Sequence, residues 1–301
     1  DRGLKAKVTQ EAEAQIDSSA VFASNTSTLP ITGLAEASDR PENFVGLHFF
    51  SPVDKMPLVE IICGEQTSDE TLAKAYDFVL QIGKTPIVVN DSRGFFTSRV
   101  FGTFANEGMA MLGEGIPAAA IENAAFLAGY PVGPLAVTDE VSLTLVEKIR
   151  NQTIKDLQSE GKSYPVHPSD SVVDQMLEAG RAGKLNGAGF YSYPEHDSSK
   201  GGKKHLWGGL SEKFGNKDCA YSVDEIKDRL LYIQAIETVR CINEKVLTSV
   251  RDANIGSIMG IGYPVWTGGI LQFINQTGLP EFIKRADALT EQCGERFSVP
   301  K

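Results

Sequence analysis

The chain has 301 residues, 42% of them hydrophobic and 23% charged, with a formal net charge of −10. That length supports two or three domains and a sizeable core. The acidic balance and the lack of a long basic run exclude a duplex-wide phosphate-binding surface, though a small anionic ligand could still sit in a local positive pocket, and no apolar run approaches the ~20 residues of a membrane span. Cys63, Cys219, Cys241 and Cys293 are far apart and form no C-x-x-C pair. They read as reduced thiols of a cytoplasmic protein, not as a disulfide frame or a zinc site.

The first residue is Asp1, and the residues after it do not form a signal peptide. "LKAKVTQEAEAQI" predicts a polar amphipathic helix over 4–17 that runs directly into the apolar strand "AVFAS", 20–24. A domain rarely opens inside such a helix-to-strand unit, so the chain reads as a fragment of a longer one. A short helix near 30–38, strands over 44–50 and 58–63, a helix over 67–83 and a strand over 86–90 come next. The strands are short Val/Ile/Phe-rich runs bounded by Asn, Ser, Pro and Gly, and the third helix opens on a Ser/Asp cap and stops at Gly83. This is α/β architecture.

From "NDSRGFFTSRVF" onward the spacing turns helical, over 92–112, 117–128, 139–160 and 169–182. The polar stretch "SYPEHDSSKGGKKHLWGG" reads as an exposed loop between two helical units. Those units resemble each other. Arg99 and Glu107 are eight residues apart, as are Arg229 and Glu237, and "AGYPVGPLAV" at 128–137 is echoed by "IGYPVWTGGI" at 261–270. Shared spacing together with a shared Gly-Tyr-Pro-Val element suggests a duplication whose copies pack about a pseudo-two-fold.

The stretch "FVGLHFFSPVDKMPLVEII" sets His48 and Glu60 in two otherwise apolar runs. The seven residues "SPVDKMP" are too few for a parallel crossover, so the flanking strands are expected to be antiparallel neighbours. His48 lies three residues before Ser51 and Glu60 three after Pro57, which places them opposite each other on one face. A His–carboxylate pair is the minimal general-base unit, because the carboxylate fixes the tautomer and stabilises the imidazolium. A buried histidine merely satisfied by its neighbour fits the pattern equally well, and both readings stay open at this point.

"ASNTSTLP" offers Ser24, Asn25, Thr26, Ser27 and Thr28 at the end of a strand, where open α/β sheets bind ligands. Ser27 or Thr28 could equally cap the helix after Pro30. "GEGIPA", 113–118, is the one match to G-x-G-x-x-G/A, but it follows a helical run and reads as a helix end, a turn and a new helix with Pro117 in its first turn. His167, His196 and His205 are weak candidates, and no spacing suggests a metal site. "LNGAGFYSY" reads as a Gly-rich turn that docks a segment, and there is no G-x-S-x-G elbow.

"VFASNTSTLPI", "RPENFVGLHFFSPVDKMPLVEII", "SDETLAKAYDFVLQIGKTPIVVNDSRGFFTSR" and "GAGFYSY" together resemble the L-3-hydroxyacyl-CoA dehydrogenase family, most closely the dehydrogenase part of the multifunctional α-subunits of bacterial fatty-acid β-oxidation. The resemblance implies the C-terminal half of a Rossmann-like NAD-binding domain over 1–91, lacking its first βαβ half and so its glycine-rich loop. It implies a helical dehydrogenase C-terminal domain over 92–194, a linker over 195–220 and a second helical copy over 221–301. It implies NAD as cofactor, an acyl-CoA as substrate, a hydratase domain upstream and a thiolase β-subunit as a possible partner. His48 stands at the family's catalytic base and Glu60 at its orienting carboxylate. Ser27 stands at the serine that contacts the substrate hydroxyl near the nicotinamide, and Lys7 matches a lysine near NAD and CoA. The family usually has "HFFNP" and "GFxVNR", so Ser51 and Ser98 replace two asparagines. A serine keeps a donor and an acceptor but loses the amide's fork. The implied reaction is oxidation of an L-3-hydroxyacyl-CoA to the 3-ketoacyl-CoA. The alternatives are a catalytically silent assembly fragment and a 3-hydroxybutyryl-CoA dehydrogenase paralogue.

Overall fold

A computed structural model describes residues 2–194, 202–216 and 219–300. The chain forms two compact units, one made of 1–101 with 234–301 and the other of 102–233.

The first unit is built on a four-stranded sheet. Helix α1 (Arg2–Glu13) precedes β1 (Phe22–Ser24), α2 (Ile31–Ala35), β2 (Phe44–Phe49), β3 (Leu58–Cys63), α3 (Asp69–Gln81) and β4 (Thr85–Asn90). The strand order is β1-β2-β3-β4; β1 is parallel to β2, β2 antiparallel to β3, and β3 parallel to β4. The short 51–57 connection forces the antiparallel step, and α3 supplies the parallel crossover to β4. Both faces of β2 and β3 are covered, which is why these strands read as nearly continuous apolar runs. Val45, Leu47, Val59 and Ile61 pack against Ala75 and Val79 of α3.

The opposite face carries the intervening residues, by the period of two. Helix α11 (Val250–Ile261) contacts β3 and β4 on this face, and two small residues let it approach. A Cβ on Gly256 would lie 2.7 Å from Ile87 and 2.9 Å from Phe96, and one on Gly260 would lie 2.7 Å from Leu58. Asp252 of α11 accepts from Val88 N of β4 at 3.2 Å.

The helices end where the backbone requires it. Ser68 caps α3 by accepting from Thr71 N, and Gly83, at φ 73°, stops it. Helix α1 stops at Glu13, short of the expected 17. The helix expected over 92–112 starts only at Thr97, as α4 (Thr97–Gly113), because Gly94 and Phe95 both have positive φ. The helix expected over 139–160 is two, α6 (Pro134–Val141) and α7 (Leu143–Ser159). The break is Ser142, at φ 81°, where Leu143 N leaves the helical ladder for Ala182 O.

The second unit holds α5 (Ala118–Ala128), α6, α7, α8 (Ser169–Glu178), a small ribbon of β5 (Tyr191–Ser192) and β6 (His205–Leu206), and α9 (Gly209–Phe214). It also holds residues 102–113 of α4 and 223–233 of α10 (Val223–Asn243). The "GEGIPA" stretch is the α4–α5 turn, with Gly115 at φ 101° and Pro117 at the N-cap of α5.

Each unit carries the same two devices. In the first, Arg99 binds Glu237 and Glu244; in the second, Arg229 binds Glu107 and Glu114. In the second unit, Glu122 of α5 accepts from Leu135 N and Ala136 N at the start of α6, and Gly133 leaves room for its carboxylate. In the first, Asn254 of α11 accepts from Leu271 N at the start of α12 (Ile270–Thr277), and Gly269 leaves room for it. A final helix, α13 (Leu279–Cys293), completes the first unit.

"GAGFYSY" docks onto a buried acid. Asp139 accepts from Phe190 N and Tyr191 N, both at 2.8 Å, and from the Tyr193 hydroxyl at 3.0 Å. A Cβ on Gly189 would overlap the carboxylate that these three donors hold in place. Gly189→Ala is therefore expected to destabilise the chain by about 2 kcal/mol or more, through lost hydrogen bonds to a buried charge. Urea unfolding checks this, and an unchanged midpoint would contradict it.

Candidate active site

The register of β2 on β3 sets His48 opposite Glu60. Their side chains meet, with His48 Nδ1 2.9 Å from Glu60 Oε2. The His48 side chain is 10% exposed and that of Glu60 0%. Phe50 lies against the imidazole, ring centroids 4.6 Å apart, and Phe95 lies 6.2 Å away.

A carboxylate this deeply buried costs several kcal/mol unless donors surround it. Glu60 has four. Phe96 N and Thr97 N each donate to Oε1 at 3.0 Å. The Thr97 hydroxyl donates to Oε2 at 2.5 Å, and His48 Nδ1 donates to the same oxygen. The two amides open α4, so Glu60 sits at the positive end of that helix and serves as its N-cap from another element. An ionised carboxylate only accepts, so the Nδ1 proton is assigned to the imidazole, and Nε2 is left as the free base. That arrangement can take a proton at Nε2 and stabilise the imidazolium that results.

The β1–α2 loop is tied to the same edge of the sheet. Strands β1 and β2 are parallel, so both carboxyl ends lie there. Asn25 Oδ1 accepts from Phe49 N at 3.0 Å, and Thr28 O accepts from Gly94 N at 3.2 Å. Neither Ser27 nor Thr28 caps α2. Asp91 does so instead, accepting from Ile31 N at 2.8 Å and Thr32 N at 2.7 Å. The N-cap position itself is Pro30, which has no side-chain donor or acceptor to offer.

His48 and Glu60 are in contact, and Ser98 follows Thr97 in the first turn of α4, half-buried. Ser27 is exposed in the tied loop, and Ser51 is exposed at the start of the β2–β3 connection. Lys7 is 72% exposed on α1, and its ion pair is with Glu11 at 3.7 Å. It is Lys5, on the inner side of the same helix, that reaches the end of β1, with Nζ 3.3 Å from Ser24 Oγ. Of the other histidines, His167 bonds Ser169 at 2.8 Å, His205 is exposed beside Lys203 O, and His196 lies outside the described residues. No group of three potential metal ligands occurs among the described residues, and none of their helices is long and apolar enough to cross a membrane.

Sequence reasoning missed Thr97, the α4 amides, Asp91 and Lys5. No local pattern points to the first two, because the sequence places the helix start at 92, beside Asp91 and Ser92, residue types that cap helices by themselves.

Comparison with known proteins gives these features a family. Residues 1–92 match the family model "3-hydroxyacyl-CoA dehydrogenase, NAD binding domain", and residues 94–193 match "3-hydroxyacyl-CoA dehydrogenase, C-terminal domain". The fatty acid oxidation complex subunit alpha of Shewanella baltica is 38% identical over 298 residues, which is 99% of this chain and 41% of that protein. The chain therefore spans about two fifths of the length of that curated relative. Among solved structures, (S)-3-hydroxybutyryl-CoA dehydrogenase from Ralstonia eutropha aligns with a TM-score of 0.57 at 35% identity, over 64% of this chain and 66% of that one. The 3-hydroxybutyryl-CoA dehydrogenase of Escherichia coli K12 shares the fold across 100% of this chain and 78% of its own, with a TM-score of 0.78 at 20% identity. With both parts of one family's domain pair matched in order, and an interior His–Glu pair set between the sheet and the first helix after it, the chain belongs to the 3-hydroxyacyl-CoA dehydrogenase family.

Proposed function

We propose that this chain carries the proton-transfer half of an NAD-dependent 3-hydroxyacyl-CoA dehydrogenase, within a longer cytoplasmic protein that also serves fatty-acid β-oxidation. The observation that carries this reading is the buried His48–Glu60 pair, braced by the amides of α4. Oxidising a secondary alcohol to a ketone requires loss of the hydroxyl proton, and a neutral imidazole with one free nitrogen supplies the acceptor. His48 Nε2 takes that proton, and Glu60 stabilises the imidazolium. Ser27 and Ser98 hold the substrate oxygen. The loop from Ser24 to Thr28 would hold the nicotinamide end of NAD, which would supply the hydride acceptor for this oxidation.

The loop from Ser24 to Thr28, at the carboxyl edge of two parallel strands, fits the nicotinamide end of such a cofactor. Lys5 and Lys7 supply positive charge on α1 beside it, for phosphate groups of NAD or CoA, and Ser51 lines the turn after His48. The one G-x-G-x-x-A stretch is a helix–helix turn, so in these residues the pyrophosphate has no glycine loop at a strand end. We take residues 1–91 as the partial NAD-binding domain, 92–194 and 221–301 as copies of one helical domain with 195–220 between them, and a thiolase subunit as the partner of the longer protein.

In the longer protein, His48→Ala is expected to lower turnover at least ~100-fold, the usual size of general-base assistance. Glu60→Gln is expected to do about the same, because an amide in that position brings its own donor against the donors already there. Steady-state kinetics with a 3-hydroxyacyl-CoA checks both, and retained activity in the His48 variant would sink the assignment. For the 301-residue chain alone, titration with NADH should give no saturable fluorescence change. Saturation would mean that these residues hold the pyrophosphate by other means.

A further inference from the structure

We infer that Thr97 is a positioning residue that tunes the basicity of His48 by sharing the oxygen on which His48 depends. This rests on the reading of His48 as the base. Thr97 is fully buried, and its hydroxyl has a place in the cluster that its backbone does not fill. Oε1 of Glu60 is saturated by two amides, Phe96 N and Thr97 N. Oε2 receives the Thr97 hydroxyl at 2.5 Å and the imidazole at 2.9 Å, and the hydroxyl oxygen lies 3.4 Å from Nδ1. Two donors on one carboxylate oxygen weaken each other, because each draws on the same electron density. The Thr97 hydroxyl therefore loosens the hold of Glu60 on the imidazolium and keeps the His48 midpoint lower than an unshared carboxylate would set it.

The other charged and titratable groups around the pair are already engaged. Arg99 of α4 is bound by Glu237 of α10 and by Glu244 just after that helix. Cys241 of α10 lies within electrostatic range of Glu60, and burial pushes its thiol up to about 12, so it stays uncharged around pH 7. Asp252 of α11 faces Val88 N and Arg251, and Lys5 of α1 faces Ser24. None of these changes when Thr97 is replaced by valine, which keeps the branched shape and both amides and removes only the hydroxyl.

The test is NMR titration of the His48 ring in the 301-residue chain and in its Thr97→Val and Thr97→Ser variants. Thr97→Val should raise the His48 midpoint by about one pH unit, since a hydrogen bond to a charged group is of that size, and move the Nδ1 proton resonance downfield. Thr97→Ser should restore both. A folded Thr97→Val variant with an unchanged or lowered midpoint overturns the proposal. If Thr97→Val does not fold, Thr97→Ala against Thr97→Ser makes the same comparison with the same criteria. In the longer protein the acid limb of kcat/KM should move with the NMR midpoint. An NMR shift without movement of that limb supports the role of Thr97 and rejects His48 as the base.

Discussion

A carboxylate with no solvent exposure decides the layout of this site. Glu60 interrupts an apolar strand, and the chain can tolerate its charge only by aiming donors at it from several directions. The donors come from β2, through His48, and from the first residues of α4, through two amides and a hydroxyl. The requirement therefore fixes two things together: the register of β2 on β3, and the residue at which α4 begins. A slip of one residue in the β2–β3 pairing would turn His48 to the α3 side of the sheet and leave Glu60 without its imidazole.

The backbone before α4 bends to meet the same requirement. Gly94 and Phe95 both take positive φ, and for Phe95 that conformation costs about 1–2 kcal/mol. The turn they form delivers the Phe96 and Thr97 amides to one carboxylate oxygen, and Gly94 N meanwhile holds the β1–α2 loop through Thr28 O. Asp91, three residues earlier, does for α2 what Glu60 does for α4. A buried acid, Glu60, and a half-buried one, Asp91, thus brace two helix starts, and the loop carrying Ser27 leads into one of them. Gly256 then lets α11 close against Phe96 from the other side.

The sheet was legible in the sequence because its signals are local. Short branched runs bounded by Pro, Gly and Asn marked the strands, and the seven-residue connection alone implied the antiparallel step and the facing of His48 and Glu60. The helix ends were less legible. Ser142 ends α6 in a conformation that serine seldom adopts, and composition carries no trace of it. The donors around Glu60 were not legible, because Thr97 lies 37 residues away and two of the four donors are main-chain groups that no side-chain pattern can reveal. The cap of α2 failed for the same reason. Local Ser and Thr were the natural candidates, but an acid 60 residues away takes their place. The resemblance placed Lys7 near cofactor, whereas burial on α1 sets Lys5, not Lys7, against the strand end.

Interior acids that gather main-chain amides recur in this chain, and their donors differ in one chemically important way. Glu122 takes the Leu135 and Ala136 amides and the Tyr191 hydroxyl; Asp139 takes two amides and the Tyr193 hydroxyl. Burial raises the pKa of both acids, and burial raises those of the two phenols as well. Amides do not titrate, and burial pushes both phenols up, so no donor in either cluster changes its proton near neutrality. Glu60 uses the same device with four donors instead of three: an imidazole stands where the others have a phenol, and the Thr97 hydroxyl is added. The imidazole sets this cluster apart chemically, because it alone of these donors carries a second nitrogen able to accept a proton. The His48–Glu60 pair is in this sense a helix cap whose fourth donor is an imidazole, and Thr97 shares the same carboxylate oxygen.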